Sequence, residues 1–171
     1  MSLQPKLSKP LLFCSVFYSL TYSLAAHALP SDKKETLNAV AAYSHADLKQ
    51  HIVTHEGNVV ATQGSTTLTG DKVVLYMNDK NELIKAIAYG KPATYRTLTA
   101  TDKPEFYADG DEIHYLIDQE LILLIGNAHV RQGNNTYAGA RLEYQTEKEI
   151  VISPKSPEGR ASMVIYPKPK S

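Results

Sequence analysis

The chain has 171 residues, and the first 28 have the character of a removable leader, which leaves 143 residues, enough for one ordinary domain. Outside the leader, 16 basic residues stand against 18 acidic ones, and this net charge of −2 argues against an electrostatic nucleic-acid-binding protein. Because the single cysteine, Cys14, lies in the leader, disulfide scaffolds, cysteine-based zinc sites and thiol catalysis are excluded for the rest of the chain.

Residues 1–28 follow the three-part pattern of a secretory signal. Two lysines precede an apolar run of 14 residues from Leu11 to Leu24, and Ala26-His27-Ala28 places small residues before a cleavage point. The run is shorter than the roughly 20 residues that a membrane-spanning helix needs, although an uncleaved anchor is the alternative. We therefore predict an exported protein, which in a double-membraned bacterium means the periplasm, with a single domain over residues 29–171.

From Leu37 onward, two-residue alternation of apolar and polar residues recurs between turn signals, which is typical of all-β folds. The segment from Asp32 to Lys49 would also suit a short helix, but we predict that it is mostly strand. The runs Leu83 to Tyr89 and Leu121 to Ile125 are apolar on both faces, so alternation does not say which face is buried. Glycines are expected to mark the turns. They are Gly57, Gly64, Gly70, Gly90, Gly110, Gly126, Gly133 and Gly139.

An internal repeat relates two parts of the chain. A shift of 69 residues aligns Gly57-Asn58 with Gly126-Asn127 and makes six of the twenty positions from 57 to 76 identical. Gly70, Gly110 and Gly139 are each followed by a similar strand with one apolar face. The residues three, five and seven places after them are Val73, Leu75 and Met77, then Ile113, Tyr115 and Ile117, then Leu142, Tyr144 and Thr146. Such a face is buried only against another, so we predict stacked hairpins in a sandwich, jelly roll or solenoid.

No catalytic or metal-binding constellation stands out. His51 and His55 are the best candidate pair of metal ligands. However, four residues along a strand span about 13 Å, which is too far for both side chains to bind one zinc ion with bonds of about 2 Å. We therefore interpret them as exposed strand histidines. Asp109, Asp111 and Glu112 lie beside a glycine and lack the ligand spacing of a calcium loop, which favours turn chemistry. Serine-nucleophile, phosphate-loop and dinucleotide motifs are absent from the sequence. We predict that the protein is not an enzyme and uses no metal or cofactor.

Four segments carry a family resemblance: His51 to Gly64, Gly70 to Val74, Tyr89 to Thr94, and Leu124 to Ala128 with Gly139 following. In this order, over about residues 37–166, they resemble the LptA (OstA-like) family of periplasmic lipopolysaccharide-transport bridge proteins. The resemblance implies an antiparallel β-jelly-roll of stacked hairpins, open at both ends, with an apolar groove for the acyl chains of lipopolysaccharide. It also implies head-to-tail self-association between an LptC-like inner-membrane partner and an LptD-like outer-membrane partner.

The apolar rows and the resemblance together assign residues to the groove and to its two ends. The predicted lipid-binding groove consists of Val59, Ala61, Leu68, Val73, Leu75, Met77, Tyr95, Ile113, Tyr115, Ile117, Val130, Tyr137, Leu142 and Tyr144. The predicted oligomer edges are Leu37, Ala39, Met163 and Ile165. Strands near 37–42 and 160–166 would present unpaired backbone groups to which a neighbour's strand could add.

The pattern leaves two other functions open. A structural or adaptor β-sandwich of the cell envelope would use the same apolar faces as a closed core. An enzyme acting on envelope glycans would need Asp109 or Glu112 paired with another buried carboxylate. The transport interpretation needs an apolar trough that an acyl chain can occupy instead. Burying the acyl chain there would stabilise the bound lipid by about 0.8 kcal/mol per methylene, or on the order of 10 kcal/mol for a chain of about a dozen carbons.

Overall fold

A computed structural model describes residues 32–155 and 159–167, so the predicted leader with Cys14, as well as Pro157 and Pro169, lies outside the described residues. The described chain is almost entirely β-structure. Its strands are β1 (Leu37–Val40), β2 (Tyr43–Asp47), β3 (Ile52–Gln63), β4 (Thr66–Met77), β5 (Leu83–Thr97), β6 (Phe106–Leu116), β7 (Leu121–Gln132), β8 (Asn135–Gln145), β9 (Ile150–Ile152) and β10 (Ser162–Val164). Single turns of 3-10 helix lie at Asp32–Lys34 and Ile117–Gln119.

All ten strands belong to one antiparallel sheet, which confirms the predicted fold class. Strands β3 to β8 follow one another as hairpins, each paired with the next. Two short strands, β1 and β2, pair with β3 at one edge, and β9 and β10 pair with β8 at the other. Within the described residues the two edges do not pair with each other, so the sheet stays open.

Each hairpin pair from β3 to β8 shifts register near the middle of its strands, at a glycine. The prediction that these glycines mark turns between strands is therefore wrong for Gly57, Gly70, Gly90, Gly110, Gly126 and Gly139, which lie inside strands. Only Gly64 and Gly133 of the predicted set lie in turns. Left-handed backbone occurs in turns and in bulges alike: Gly57 and Gly126, at bulges, have φ of +83° and +73°, and Gly64 and Gly133, in turns, have φ of +58° and +59°.

The line of glycines divides the sheet into two half-sheets. The first half-sheet contains residues 43–47, 52–56, 72–77, 83–89, 112–116, 121–125, 141–145 and 150–152. The second half-sheet contains residues 37–40, 59–63, 66–70, 93–97, 106–110, 128–132, 135–139 and 162–164. The ring of Tyr95, in the second, lies 5.6 Å from that of Tyr115, in the first. The sheet therefore folds along the glycine line, and the two inner faces pack against each other.

Strand is the main regular structure of the segment from Asp32 to Lys49, but it covers only half of the segment and is broken in two. Strand β1 ends at Val40 and β2 begins at Tyr43, because the chain between them meets the bulge of β3. There the backbone N–H of Ala42 donates to the carbonyl of Gly57 over 3.0 Å. The predicted end strand over 37–42 is therefore shorter and is followed by a second edge strand.

Three predicted strand positions fall outside strands. Ile117 opens the 3-10 turn after β6, because Glu120, with φ of +52°, closes that turn through its backbone N–H to the Ile117 carbonyl. Thr146 follows the end of β8, and its N–H and hydroxyl donate to the Glu120 carbonyl over 2.8 and 3.0 Å. Ile165 follows β10, which ends at Val164.

The strand register shows which face is buried in the two runs that are apolar on both faces, Leu83 to Tyr89 and Leu121 to Ile125. Ala86 and Ala88 of β5 belong to the buried core, and so do Ile122 and Leu124 of β7. Ile87 pairs across the sheet with His114 and therefore points to the outer face. The inner side chains of this run of β5, Ala86 and Ala88, are small, which leaves room in the interior for aromatic rings.

Candidate functional site

The predicted groove residues face a shared apolar interior between the two half-sheets. Ten of them are buried members of a single core cluster. These are Val59, Ala61, Leu68, Val73, Leu75, Tyr95, Ile113, Val130, Leu142 and Tyr144. Met77, Tyr115 and Tyr137 are partly buried and pack against the same cluster. Ile117 is buried, at 8% exposure, but lies on its 3-10 turn outside this cluster, so it does not continue the row as predicted.

Two rows of side chains run across the whole sheet without a polar interruption. In the second half-sheet the row is Ala39, Ala61, Leu68, Tyr95, Ala108, Val130, Tyr137 and Met163, each paired with the next. In the first half-sheet it is Ala46, Val53, Leu75, Ala86, Tyr115, Ile122, Tyr144 and Val151. The apolar interior therefore extends from one open edge of the sheet to the other.

Side chains from the two half-sheets fill the middle of this interior. Phe106 stacks on Tyr144 with ring centroids 4.0 Å apart, and it meets Tyr95 edge-on at 6.3 Å. Toward the edges the packing loosens, since Val53 and Tyr137 are only partly buried and Met163 is 61% exposed. The interior is thus a packed core at its centre and an apolar surface at its two ends.

Sequence reasoning missed several interior residues. They are Ala86, Ala88, Ala93, Phe106, Ala108, Ile122, Leu124 and Ala128. Ala93, Ala108 and Ala128 are fully buried next to the glycine line, where the folded sheet brings backbones close and only small side chains fit. Phe106 begins β6, four residues before its glycine, and the repeat pattern covered only residues after glycines. Alternation backward from Gly110, through Ala108 to Phe106, could have found both.

The predicted edge residues divide into two kinds. Leu37 and Ala39 of β1 are partly buried and pack against the core. Met163 of β10 and Ile165 just after it are 61% and 57% exposed. Outward-facing Val40 and Val164, at 72% and 50% exposure, add further apolar surface at these two edges.

His55 is a buried polar group on the inner face, so the prediction of an exposed histidine is wrong for it. It is 8% exposed, lies beside Val73 in the register, and has its Nδ1 2.7 Å from the hydroxyl of Ser44. Burial lowers the pKa of His55 below its ordinary value of 6.5. His51 lies before β3 in a turn with φ of +55°, so the two histidines do not share a strand.

Polar groups also line the hairpin end of the second half-sheet. The Asp32 carboxylate accepts hydrogen bonds from the backbone N–H and the hydroxyl of Ser65 over 3.0 and 2.6 Å. The hydroxyls of Thr66 and Thr97 lie 3.0 Å apart, near the phenol of Tyr95. Burial raises the pKa of Tyr95, so its hydroxyl stays protonated.

The acidic residues singled out in the sequence lie on the outer face of β6 and are not in a turn. Asp109 lies 3.2 Å from Nδ1 of His129, Asp111 accepts a hydrogen bond from Asn127, and Glu112 lies 3.0 Å from Nε2 of His114. These pairings flank the bulge at Gly110 and do not form a carboxylate pair. In the described part of the chain, no three His, Cys, Asp or Glu side chains group as metal ligands, and no helix is long and apolar enough to cross a membrane.

Comparisons with known proteins agree with this architecture. The family model described as "LptA/(LptD N-terminal domain) LPS transport protein" matches residues 39–150. The "Lipopolysaccharide export system protein LptH" of Pseudomonas aeruginosa is 36% identical over 166 residues, which cover 91% of this chain and 95% of that protein. The "Lipopolysaccharide export system protein LptA" of Escherichia coli (strain K12) is 27% identical over 149 residues, covering 86% of this chain and 80% of the relative.

A solved structure is also similar. It is the crystal structure of LptH, described as the LptA homologous periplasmic component of the conserved lipopolysaccharide transport device from Pseudomonas aeruginosa. It matches with a TM-score of 0.75 at 36% sequence identity, covering 81% of this chain and all of the other. The family model alone spans strands β2 to β8, which form both half-sheets and the interior between them.

Proposed function

The chain belongs to the LptA/(LptD N-terminal domain) family of LPS transport proteins, and from this premise we propose that it is a periplasmic protein that carries lipopolysaccharide by its acyl chains between the two membranes. The observation that carries the proposal is the pair of apolar rows from Ala39 to Met163 and from Ala46 to Val151. They supply the edge-to-edge apolar path that a sliding acyl chain needs.

The energetics favour binding without chemistry. Removing an acyl chain of about a dozen carbons from water is worth on the order of 10 kcal/mol, and the gain persists while the chain slides along a continuous apolar surface. Movement in one direction then needs energy from elsewhere. We propose that the protein catalyses nothing and acts as a conduit.

Lipid entry requires the packed centre to open. Tyr95, Phe106, Tyr115 and Tyr144 occupy the space between the half-sheets, so an acyl chain must displace or part these rings. The open seam supports such a movement, because no backbone pairing of β1 or β2 with β9 or β10 would have to break. The close packing is what a closed-core adaptor sandwich would also have, but membership of a lipid-transport family favours the conduit.

We further propose head-to-tail assembly through the sheet edges. Each edge carries short strands whose outer side pairs with no other strand of the described residues, and Val40 and Met163 are among the most exposed apolar side chains there. A strand of a neighbouring copy could add at such an edge and continue the apolar rows. By the same route one edge would join an LptC-like inner-membrane partner and the other an LptD-like outer-membrane partner.

A crosslinking experiment tests the lipid path. Tyr115 points into the interior, while its neighbour His114 points to the outer face of the same strand. With a photo-crosslinking amino acid at each position in turn, we expect purified lipopolysaccharide to be captured at 115 and not at 114. Capture at 114 alone, or equal capture at both positions, would refute the proposed function.

A further inference from the structure

One buried hydroxyl in the apolar interior has no partner among the described residues. Tyr144 is 2% exposed, and its phenol oxygen makes no hydrogen bond to any described group. Buried polar groups are nearly always hydrogen-bonded, because an unpaired one loses its contacts with water and gains nothing in exchange. The ring itself is held firmly, since it stacks on Phe106 at 4.0 Å with the planes 16° apart.

This exception is specific. Among the described residues, Tyr144 has the one buried side-chain polar atom without a hydrogen-bond partner, although Tyr95 is a buried interior tyrosine too. A phenylalanine at position 144 would keep the stacked ring and avoid the unpaired oxygen. The hydroxyl therefore contributes nothing to the described fold, which points to a contact outside it.

The chemistry of this hydroxyl is that of a donor. Burial, and to a smaller extent the nearby Glu149 carboxylate, raise the pKa of Tyr144, so the phenol stays protonated. The Glu149 carboxylate is itself engaged by the Lys103 ammonium, at 2.7 and 2.6 Å from its two oxygens. Since no described group, Glu149 included, accepts a hydrogen bond from Tyr144, a partner has to bring its own acceptor oxygen to this buried site, where a hydrogen bond is stronger than in water.

We propose that the Tyr144 hydroxyl donates a hydrogen bond to the carbonyl oxygen of an ester- or amide-linked acyl chain bound in the interior. The inference rests on the proposed function and deepens it. Tyr144 belongs to the apolar row of the first half-sheet, one strand from its β9 edge. An acyl chain following that row meets at Tyr144 a fixed donor that is buried and unpartnered, which marks where the chain joins its head group and distinguishes an acyl lipid from a plain alkyl one.

The test compares Tyr144→Phe with the wild-type protein and with Tyr95→Phe, which removes the hydroxyl of another buried interior tyrosine that is not among the unpartnered buried groups. The probes are sucrose monodecanoate and decyl maltoside, two disaccharide amphiphiles of equal chain length, of which only the first carries an ester carbonyl. Their binding is measured by calorimetry below the micelle concentration, and binding of purified lipopolysaccharide is measured by competition with them.

We expect Tyr144→Phe to raise Tm by about 2 to 5 °C, because an unpaired buried group is removed. We expect it to weaken sucrose monodecanoate binding by about 3- to 10-fold, the worth of a typical hydrogen bond, and to leave decyl maltoside binding unchanged. Tyr95→Phe should not raise Tm, because the Tyr95 hydroxyl is not an unpartnered buried group.

Equal weakening of both amphiphiles, or no weakening of either, would overturn the inference, and so would a lower Tm for Tyr144→Phe. These failures are separate from failure of the proposed function. If the wild-type protein binds lipopolysaccharide but Tyr144→Phe binds the ester equally well, the hydrogen bond is wrong and the conduit stands. If the wild-type protein binds no lipopolysaccharide, the conduit itself is wrong.

Discussion

The rings of Phe106 and Tyr144 stack with their centroids 4.0 Å apart although they belong to different half-sheets, Phe106 to the second and Tyr144 to the first. Neighbouring strands of a flat sheet would not bring them together. The contact exists because every long strand bends at its central glycine, so the start of β6 lies over the end of β8. The contact between these two rings therefore shows that one half-sheet lies over the other, as well as that the interior between them is packed.

Removing the ring of Phe106 should destabilise the protein strongly. Phe106 is 1% exposed and joins the two half-sheets, so Phe106→Ala should lower the free energy of unfolding by about 3 to 5 kcal/mol. Urea denaturation measures the change. The matched control is Leu48→Ala, at a residue 82% exposed, where we expect a change within about 0.5 kcal/mol. A loss at Phe106 no larger than the control's would contradict the face-to-face packing.

The bulge at Gly126 should not tolerate a side chain. Its φ is +73°, and an added Cβ would collide with the Asp111 side chain, so Gly126→Ala should cost about 1 to 2 kcal/mol or more. Gly139, on the same line, is the control, because its backbone is not left-handed and the nearest atom to an added Cβ is the Ser153 hydroxyl, at 3.5 Å. Denaturation midpoints should separate the two variants clearly. Equal midpoints would mean that the bulge is not fixed by its backbone conformation.

Local patterns predicted the inner face well and the shape of the sheet poorly. Alternation placed Val73, Leu75 and Tyr144 on an apolar face, because burial on one side of a strand leaves a two-residue period in the sequence. The role of Gly57-Asn58 could not be read in the same way. Its positive φ values suit a hairpin turn or a bulge equally, and only pairing with distant strands decides between them.

The 69-residue repeat illustrates the same limit. It detected a shared backbone geometry. The φ angles are +83° and +48° at Gly57 and Asn58, and +73° and +47° at Gly126 and Asn127. The geometry is a strand bulge and not a turn. Likewise His55 has the local setting of an exposed strand histidine, and its burial arises from the half-sheet that folds over it.

Stability should fall as the solution becomes acidic, in part through His55. Because burial lowers its pKa below 6.5, the unfolded chain takes up the proton first, so stability is complete above about pH 6.5 and declines as pH falls from there toward the folded-state pKa. The loss of unfolding free energy between about pH 7.5 and about pH 5.5 should therefore be smaller in His55→Gln than in the wild type. His45→Gln, at an exposed position of β2, is the control for the substitution itself, against which the change in His55→Gln is compared. An unchanged slope in His55→Gln would show that His55 does not titrate with folding.

Charge at the β10 edge should block self-association. Met163 and Val164 are 61% and 50% exposed, and lysines there would place charge where a neighbour's strand must pair, as natural edge strands do to prevent such pairing. We expect Met163→Lys with Val164→Lys to remove concentration-dependent oligomers in sedimentation velocity. The control, Leu98→Lys, changes an exposed residue between β5 and β6 and should assemble as the wild type does. Monomeric wild-type protein at every concentration would contradict edge-to-edge assembly.

The central claim is that an acyl chain can occupy the interior from one edge of the sheet to the other. The most direct measurement is lipopolysaccharide capture by photo-crosslinkers at two positions of one apolar row, in the assembled protein: Ala39 on β1, at one end of the row, and Tyr137 on β8, next to Met163 at the other end. Their strand neighbours Asn38 and Thr136, on the outer face, are the controls. The account predicts capture at 39 and 137 and none at 38 or 136; capture at one end only, or equally from the outer positions, would contradict it.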